Sequence, residues 1–105
     1  MLQLVIHGGA GSLEGKTSEA QNIHLSLCRI WEETFELLKK NAEEAVIHGI
    51  RLLEDDPVFN AGTGSKIQAD GEVRMSAALM DGVENRIIFQ QTNTMNYCFF
   101  GSLIF

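Results

Sequence analysis

The stretch Leu53-Glu54-Asp55-Asp56-Pro57-Val58-Phe59-Asn60-Ala61-Gly62-Thr63-Gly64 joins the end of a helix to a glycine-rich loop. Pro57 ends the helix because its ring forces the preceding residue, Asp56, out of the helical region of backbone space. The two glycines at the end of the stretch allow backbone conformations that other residues rarely adopt. The stretch therefore predicts a helix that stops at Asp56 and a tight loop after it.

Two amphipathic helices are predicted before this loop. Ser18-Glu19-Ala20-Gln21 has the S-x-x-Q form of a capping box, and a helix of about five turns is predicted to follow it. Its apolar residues recur at helical spacing: Ile23, Leu27, Ile30, Trp31, Phe35 and Leu38. Asn41-Ala42-Glu43-Glu44 offers a second cap, so a second helix is predicted to begin at Ala42. Its apolar stripe contains Ala42, Ala45, Val46, Gly49, Ile50 and Leu53, and Gly49 permits a close approach of the packing partner.

Extended structure is predicted in two places. Gln3–Ile6 is aliphatic and leads into His7-Gly8-Gly9-Ala10-Gly11, which predicts a buried strand that ends in a glycine-rich loop. Two short extended runs flank Asp70-Gly71, a dipeptide typical of hairpin turns. The second run, Glu72–Leu79, alternates apolar and polar residues, so the sequence predicts a hairpin with one face against a core.

Composition excludes several classes of partner. At 105 residues the chain forms one domain at most. Its 14 acidic and 8 basic residues give a net charge of -6, and no basic cluster suits nucleic acid. The first residues are too short an apolar run for a signal peptide or a membrane span, so we expect a cytoplasmic protein without a membrane partner. Cys28 and Cys98 lack C-x-x-C spacing, which indicates free thiols in a reducing compartment.

The chain changes character after Arg86. All charged residues lie between Glu14 and Arg86, whereas residues 87–105 contain none. A strand rarely exceeds ten residues, and amides interrupt the apolar run that a membrane helix would need. We therefore divide the chain into residues 1–86 and residues 87–105, an uncharged tail. Our hypothesis is that the tail reflects a frameshift or a truncation, which the downstream DNA read in its other frames would test.

Three segments, His7–Gly11, Leu53–Ser65 and Asp70–Gly82, resemble the plant-type asparaginase and isoaspartyl peptidase family in order and spacing. The resemblance implies an α/β fold, the αββα sandwich of the N-terminal-nucleophile hydrolases, made as a precursor that cuts itself into two subunits. Members hydrolyse the side-chain amide of L-asparagine and the β-aspartyl bond of isoaspartyl dipeptides. Residues 1–86 would be the N-terminal part of such a domain and would supply a partial sandwich of one strand, two helices and a hairpin. Residues 87–105 would be a tail outside the family pattern.

The resemblance also implies a threonine nucleophile that this sequence lacks. Family members carry it in a Gly-Thr-Val-Gly-like sequence further downstream, and the new N-terminal amine acts as the base because it titrates near neutrality. Thr63 follows Gly62 but occupies a position that the family uses structurally. The expected partners are a small-molecule substrate, bound only by the complete enzyme, and a C-terminal subunit that bears the threonine.

Site residues follow from the same resemblance. We expect no catalytic residue in this chain but three supporting ones, Asn60 for orientation of the catalytic centre and Gly9 and Gly11 for backbone conformation. The family needs no redox or nucleotide cofactor. It binds a structural sodium ion through main-chain carbonyl oxygens, which here are those of Leu53, Glu54, Asp56, Phe59, Ala61 and Thr63. The alternative for this segment is a helix end followed by a proline-containing turn.

The remaining polar residues carry weaker signals. His7 is expected to be a hydrogen-bonded structural residue. His24 and His48 have no partners at ligand spacing, so they are expected to be surface or packing residues. Asp55 and Asp56 diverge in direction, so a catalytic pair is not expected. Two features depart from the family pattern. Ser76-Ala77-Ala78 replaces Asp-Ala-Ser, which removes an acidic group from the surroundings of the site, and the strand Ala-Gly-Ala-Val expected soon after Gly82 is missing.

The favoured function is therefore an incomplete N-terminal portion of an amide hydrolase, inactive alone. One alternative is a non-catalytic fragment that binds a complete homologue through an exposed sheet edge. Another is a pseudogene product without function, which the uncharged tail and an unpaired edge would make prone to aggregate. We expect the chain alone to release no ammonia or aspartate from L-asparagine or an isoaspartyl dipeptide, and activity that appears only on mixing with a separately made threonine-bearing subunit would support the favoured function.

Overall fold

The computed structural model describes residues 1–9, 15, 17–59, 69–71 and 75–92. This part of the chain contains two helices followed by two strands. They are α1 (Thr17–Leu38), α2 (Ala42–Asp55), β1 (Met75–Asp81) and β2 (Arg86–Thr92). Both predicted helices are confirmed, and α1 begins one residue before the predicted capping sequence.

The ends of α2 lie where the sequence predicts them. Asn41 is extended, with φ -156° and ψ 124°, and its side-chain Oδ1 accepts a hydrogen bond from the backbone N–H of Glu44 at 3.0 Å. This bond satisfies one of the amides that the first turn of a helix leaves unpaired. At the other end Asp56 is also extended, with φ -90° and ψ 115°. The restriction that Pro57 places on the residue before it accounts for this stop.

The two helices pack on each other through a close contact between Thr34 and Gly49. Both residues are buried, Thr34 on α1 and Gly49 on α2. A Cβ atom at position 49 would lie 3.0 Å from Thr34 Oγ1 and 3.1 Å from its Cγ2. The predicted role of Gly49 is therefore confirmed, since the glycine leaves the space that Thr34 occupies.

A small apolar cluster lies where α1, the end of α2 and the segment after it meet. Ile30, Leu53 and Phe59 form its buried centre. Partly buried residues pack around them: Ile6, Ile23, Leu27, Ile50 and Leu52. The cluster holds Phe59, which follows Pro57, against both helices. The helix pair therefore also packs against the first residues of the loop that is predicted to follow α2.

The predicted strand at Gln3–Ile6 is wrong for the described structure. Residues 1–9 form no strand, and the described sheet contains β1 and β2. A strand needs the backbone donors and acceptors of a neighbouring strand, whereas this segment lies against a helix, which offers side chains. Trp31 Nε1 donates a hydrogen bond to the carbonyl oxygen of Leu4 at 3.0 Å, and Ile6 packs against the apolar cluster.

The described residues contain a hairpin between β1 and β2 that the sequence did not predict. β1 pairs antiparallel with β2, from Met75 opposite Thr92 to Asp81 opposite Arg86. Asp81 Oδ1 closes the turn between them by accepting hydrogen bonds from the N–H groups of Val83 at 3.0 Å and Glu84 at 3.2 Å. The predicted turn at Asp70-Gly71 does bend the chain, with Gly71 at φ 83°. The arm predicted before that turn lies outside the described residues, and β1 pairs with the segment that follows it.

β2 begins at Arg86 and therefore continues into the uncharged segment. Its side chains Ile87 and Ile88 are 72% and 55% exposed. In the described part of the chain no helix has the length and apolar character that a bilayer span requires.

Candidate functional site

The end of α2 leaves helix carbonyl oxygens without their usual donors. In a helix the carbonyl of Leu53 would accept from the N–H four residues later, but that residue is Pro57, which has none. The carbonyl of Glu54 would accept from Val58, whose N–H instead donates to Asp56 Oδ1 at 3.0 Å. Two carbonyl groups at the negative end of the helix are thus left without a helical donor.

Asp56 organises the turn that follows. Its side chain accepts from Val58 N–H, and its backbone carbonyl accepts from Phe59 N–H at 3.2 Å. Its other carboxylate oxygen, Oδ2, lies 3.4 Å from Nη2 of Arg29 on α1. The carboxylate therefore fixes the turn and joins it to the other helix, in agreement with the prediction that Asp55 and Asp56 do not act as a pair.

The described part of this segment has the donor chemistry that a sodium ion requires. Of the six carbonyl groups that the family resemblance implies, those of Leu53, Glu54, Asp56 and Phe59 lie in the described structure. Ala61, Thr63 and the supporting residue Asn60 lie outside it. Hard cations bind neutral carbonyl oxygens readily, and a helix C-terminus attracts positive charge. Among the described residues no three metal-ligating side chains cluster together, so a cation at this turn would depend on backbone oxygens.

Glu54 lies in the last turn of α2 and is buried, with 6% of its surface exposed. Burial, and to a smaller extent the neighbouring charge of Asp55, raises the pKa of its carboxyl group from 4.5 to about 7, and Arg51 acts in the opposite direction. A carboxyl group with this pKa is partly protonated near neutral pH. The burial of Glu54 was not predicted, because the apolar stripe of α2 predicts Leu53, and not Glu54, as the buried residue at this turn.

The described start of the first glycine-rich segment lies against Phe59, which comes before the second. A Cβ atom at Gly8 would lie 2.8 Å from Phe59 Cε1, so the chain passes directly over this ring. His7 Nδ1 accepts a hydrogen bond from the N–H of Gly9 at 3.0 Å, and Gly9 has φ 108°, which favours glycine. The structural role predicted for His7 and the conformational role predicted for Gly9 are consistent with this geometry. Gly11 lies outside the described residues.

Two histidines have partners that the sequence interpretation missed. His48 Nε2 lies 2.9 Å from Glu33 Oε1, which joins α2 to α1. His24 Nε2 lies 3.6 Å from Cys28 Sγ, four residues further along α1. The expectation of no partner at ligand spacing is therefore wrong for His24. The exposed position of His24 and the half-buried position of His48 agree with the expected surface or packing residues. The spacing of four residues was a detectable signal for His24, whereas His48 and Glu33 are brought together by helix packing.

Comparisons with known proteins identify the family. The model of the asparaginase family matches residues 1–88. An isoaspartyl peptidase/L-asparaginase of Nostoc sp. is 51% identical over 87 residues, which cover 80% of this chain and 27% of that protein. A plant-type L-asparaginase of Pyrococcus abyssi is 40% identical over 85 residues, or 78% of this chain and 27% of that protein. An isoaspartyl peptidase/L-asparaginase of Rattus norvegicus is 36% identical over 83 residues, or 77% and 25%.

These matches place the chain among the N-terminal-nucleophile hydrolases. The chain belongs to the asparaginase family. It spans about a quarter of the length of the curated relatives it matches.

Proposed function

We propose that this chain supplies the N-terminal part of an amide hydrolase that converts L-asparagine to aspartate and ammonia and cleaves isoaspartyl dipeptides. The observation that carries the proposal is the family match over residues 1–88 together with relatives named for these activities. The chain corresponds to about a quarter of those relatives. The nucleophilic threonine would then reside in a separate, C-terminal subunit, and this chain alone would be inactive.

The role of the described residues in that enzyme would be support. The helix pair fixes the turn at Asp56, and Phe59 packs against Gly8 in the first glycine-rich segment. Asn60, Gly9 and Gly11 would orient the backbone around the nucleophile held by the other subunit. Joined to it, the helices and the hairpin would form part of the αββα sandwich. The free thiol of Cys28 agrees with a cytoplasmic location.

Complementation tests this function. The chain is mixed with the threonine-bearing remainder of the Nostoc relative, and ammonia from L-asparagine and aspartate from an isoaspartyl dipeptide are measured. We expect no turnover from either part alone and turnover from the mixture. Asn60→Ala should lower that turnover, whereas Gln21→Ala, on the exposed part of α1, should leave it unchanged. Turnover by this chain alone, above that of the Thr63→Ala variant, would disprove the claim that this chain lacks the nucleophile.

The structural cation forms a second part of the proposal. The carbonyl groups of Leu53 and Glu54, left without helical donors, and those of Asp56 and Phe59 would contribute to binding sodium. Ala61 and Thr63 would complete the set. Bound there, the ion would stabilise the turn and supply no chemistry to the reaction.

Thermal unfolding in sodium chloride and in choline chloride of equal ionic strength tests this part. Sodium should raise the melting temperature, because an ion that binds the folded chain stabilises it by about 1.4 kcal/mol for each tenfold rise in concentration above its dissociation constant. Pro57→Ala restores an N–H opposite the carbonyl of Leu53 and should reduce the difference between the salts. Equal melting temperatures of the unmodified chain in both salts would contradict the sodium site.

A further inference from the structure

A histidine and a cysteine lie side by side on the exposed surface of α1, away from the turn after α2. His24 and Cys28 are four residues apart, which places them on the same face of the helix. Both are exposed, and His24 Nε2 lies 3.6 Å from Cys28 Sγ. Neither residue has a role in the function proposed above.

The distance between these two atoms matches the geometry of a metal site. In tetrahedral zinc sites the metal–nitrogen bond is about 2.0–2.1 Å and the metal–sulfur bond about 2.3 Å. Two such bonds at the tetrahedral angle place nitrogen and sulfur about 3.6 Å apart. His24 and Cys28 therefore hold a nitrogen and a sulfur at the separation that one tetrahedral ion requires, on a helix that already fixes their backbones.

We propose that His24 and Cys28 together bind a zinc-class divalent cation, with water in the remaining coordination positions. Imidazole and thiolate are the ligands that select such ions over magnesium or calcium. Binding breaks the S–H bond of Cys28, forms a metal–sulfur bond and releases one proton to solvent. A hydrogen bond between the thiol and the imidazole would also place the two atoms near each other, but it would confer no affinity for an ion.

Titration of the full chain with Co²⁺, followed by displacement with Zn²⁺, tests the proposal. A thiolate ligand gives Co²⁺ a near-ultraviolet charge-transfer band, and tetrahedral coordination intensifies its visible bands. We expect both signals, one ion bound per chain, and their loss when Zn²⁺ displaces Co²⁺. Cys28→Ser and His24→Gln should each weaken binding at least about tenfold.

Three further variants assign the ligands. Cys98→Ser and His48→Gln remove the other thiol and a paired histidine, and both should bind Co²⁺ as the unmodified chain does. Cys28→His keeps two ligands four residues apart, so it should retain binding but lose the charge-transfer band. The proposal is overturned if the band is absent from the unmodified chain, if it survives Cys28→Ser, if His24→Gln binds normally, or if Cys98→Ser abolishes it.

Discussion

Asn41 fixes the start of α2 with one side-chain hydrogen bond, to the N–H of Glu44. Asn41→Ala removes the acceptor and leaves that amide without its cap. We expect the free energy of unfolding to fall by about 1 kcal/mol. Urea unfolding followed by circular dichroism measures the loss.

Asn41→Asp is the matched control for this cap, because a carboxylate accepts the same hydrogen bond and favours a helix N-terminus. It should unfold at a urea concentration close to that of the unmodified chain. An equal loss in both variants would show that the amide of Glu44 does not depend on this acceptor.

Glu54 makes stability depend on pH. Its pKa rises from 4.5 to about 7 on folding, chiefly because burial disfavours the charge. Since the folded state holds the proton more tightly than the unfolded state, the stabilisation is complete below about pH 4.5 and is lost as pH rises towards 7. The contribution of this group to the free energy of unfolding changes by up to about 3 kcal/mol across that window.

Glu54→Gln isolates this contribution. The variant keeps the shape of the side chain without a charge, so its stability relative to the unmodified chain should increase between pH 4.5 and 7 and then level off. Urea midpoints at a series of pH values measure the difference. Asp55→Asn should leave a dependence of the same sign but smaller size, because Asp55 contributes to the raised pKa. A constant difference between Glu54→Gln and the unmodified chain would refute the raised pKa.

At the scale of elements, the contact between Thr34 and Gly49 sets how closely α1 and α2 approach. Alanine is a better helix former than glycine by about 0.8–1.0 kcal/mol, but overpacking a buried contact costs about 1–3 kcal/mol. Thr34 is fully buried and has little room to move. Gly49→Ala should therefore lower the free energy of unfolding by about 1 kcal/mol.

Gly49→Ala should raise the free energy of unfolding, and not lower it, when Thr34 is first replaced by alanine. Thr34→Ala removes the atoms that the new methyl group would meet, so only the gain in helix propensity remains, up to about 1 kcal/mol. Denaturant unfolding of the two single variants and the double variant completes the cycle. If Gly49→Ala destabilised both backgrounds equally, Thr34 would not be the residue that limits the approach.

The second element pair, β1 and β2, is a pairing that the sequence did not predict, whereas the arm predicted before Asp70-Gly71 lies outside the described residues. Asp70-Gly71 and the residues around Asp81 both have turn chemistry, and each can begin a hairpin. The structure pairs β1 across Asp81, whose carboxylate accepts two turn amides. Pairing of backbone groups between segments, and not the local sequence of either turn, decides which neighbour a strand takes.

At the scale of the whole molecule, the described part of the chain buries little apolar surface. Its buried hydrophobic residues are Ile30, Leu38, Ala45, Leu53 and Phe59. Larger numbers of apolar side chains are exposed: Met1, Leu2, Val5, Leu25, Trp31, Val58, Met80, Val83, Ile87 and Ile88. Exposed apolar surface on this scale is typical of a segment that associates with further protein.

Self-association is the expected behaviour of the purified chain without such a partner. Ile87 is 72% exposed on β2, a strand of the two-stranded described sheet, and apolar edge strands pair readily with other chains. Ile87→Glu adds a charge there and should raise the protein concentration at which light scattering begins. Gln21→Glu adds the same charge on α1 and should have a smaller effect. Equal effects would show that net charge, and not the strand, controls association.

The sequence by itself determined the features that depend on neighbouring residues. Asn41 caps α2, Pro57 ends it and Gly9 takes a positive φ, because each effect acts through the backbone within a few residues. The glycine-rich loops and their spacing also indicated the asparaginase family, which the comparison over residues 1–88 confirms.

Only the tertiary structure decided the features that depend on distant residues. It left Gln3–Ile6 without a strand partner and placed Trp31 against Leu4. It also buried Glu54, whose pKa follows from the surroundings that packing creates. Each of these outcomes requires two separate segments to meet, and their free energies depend on burial and distance, which a local sequence pattern does not contain.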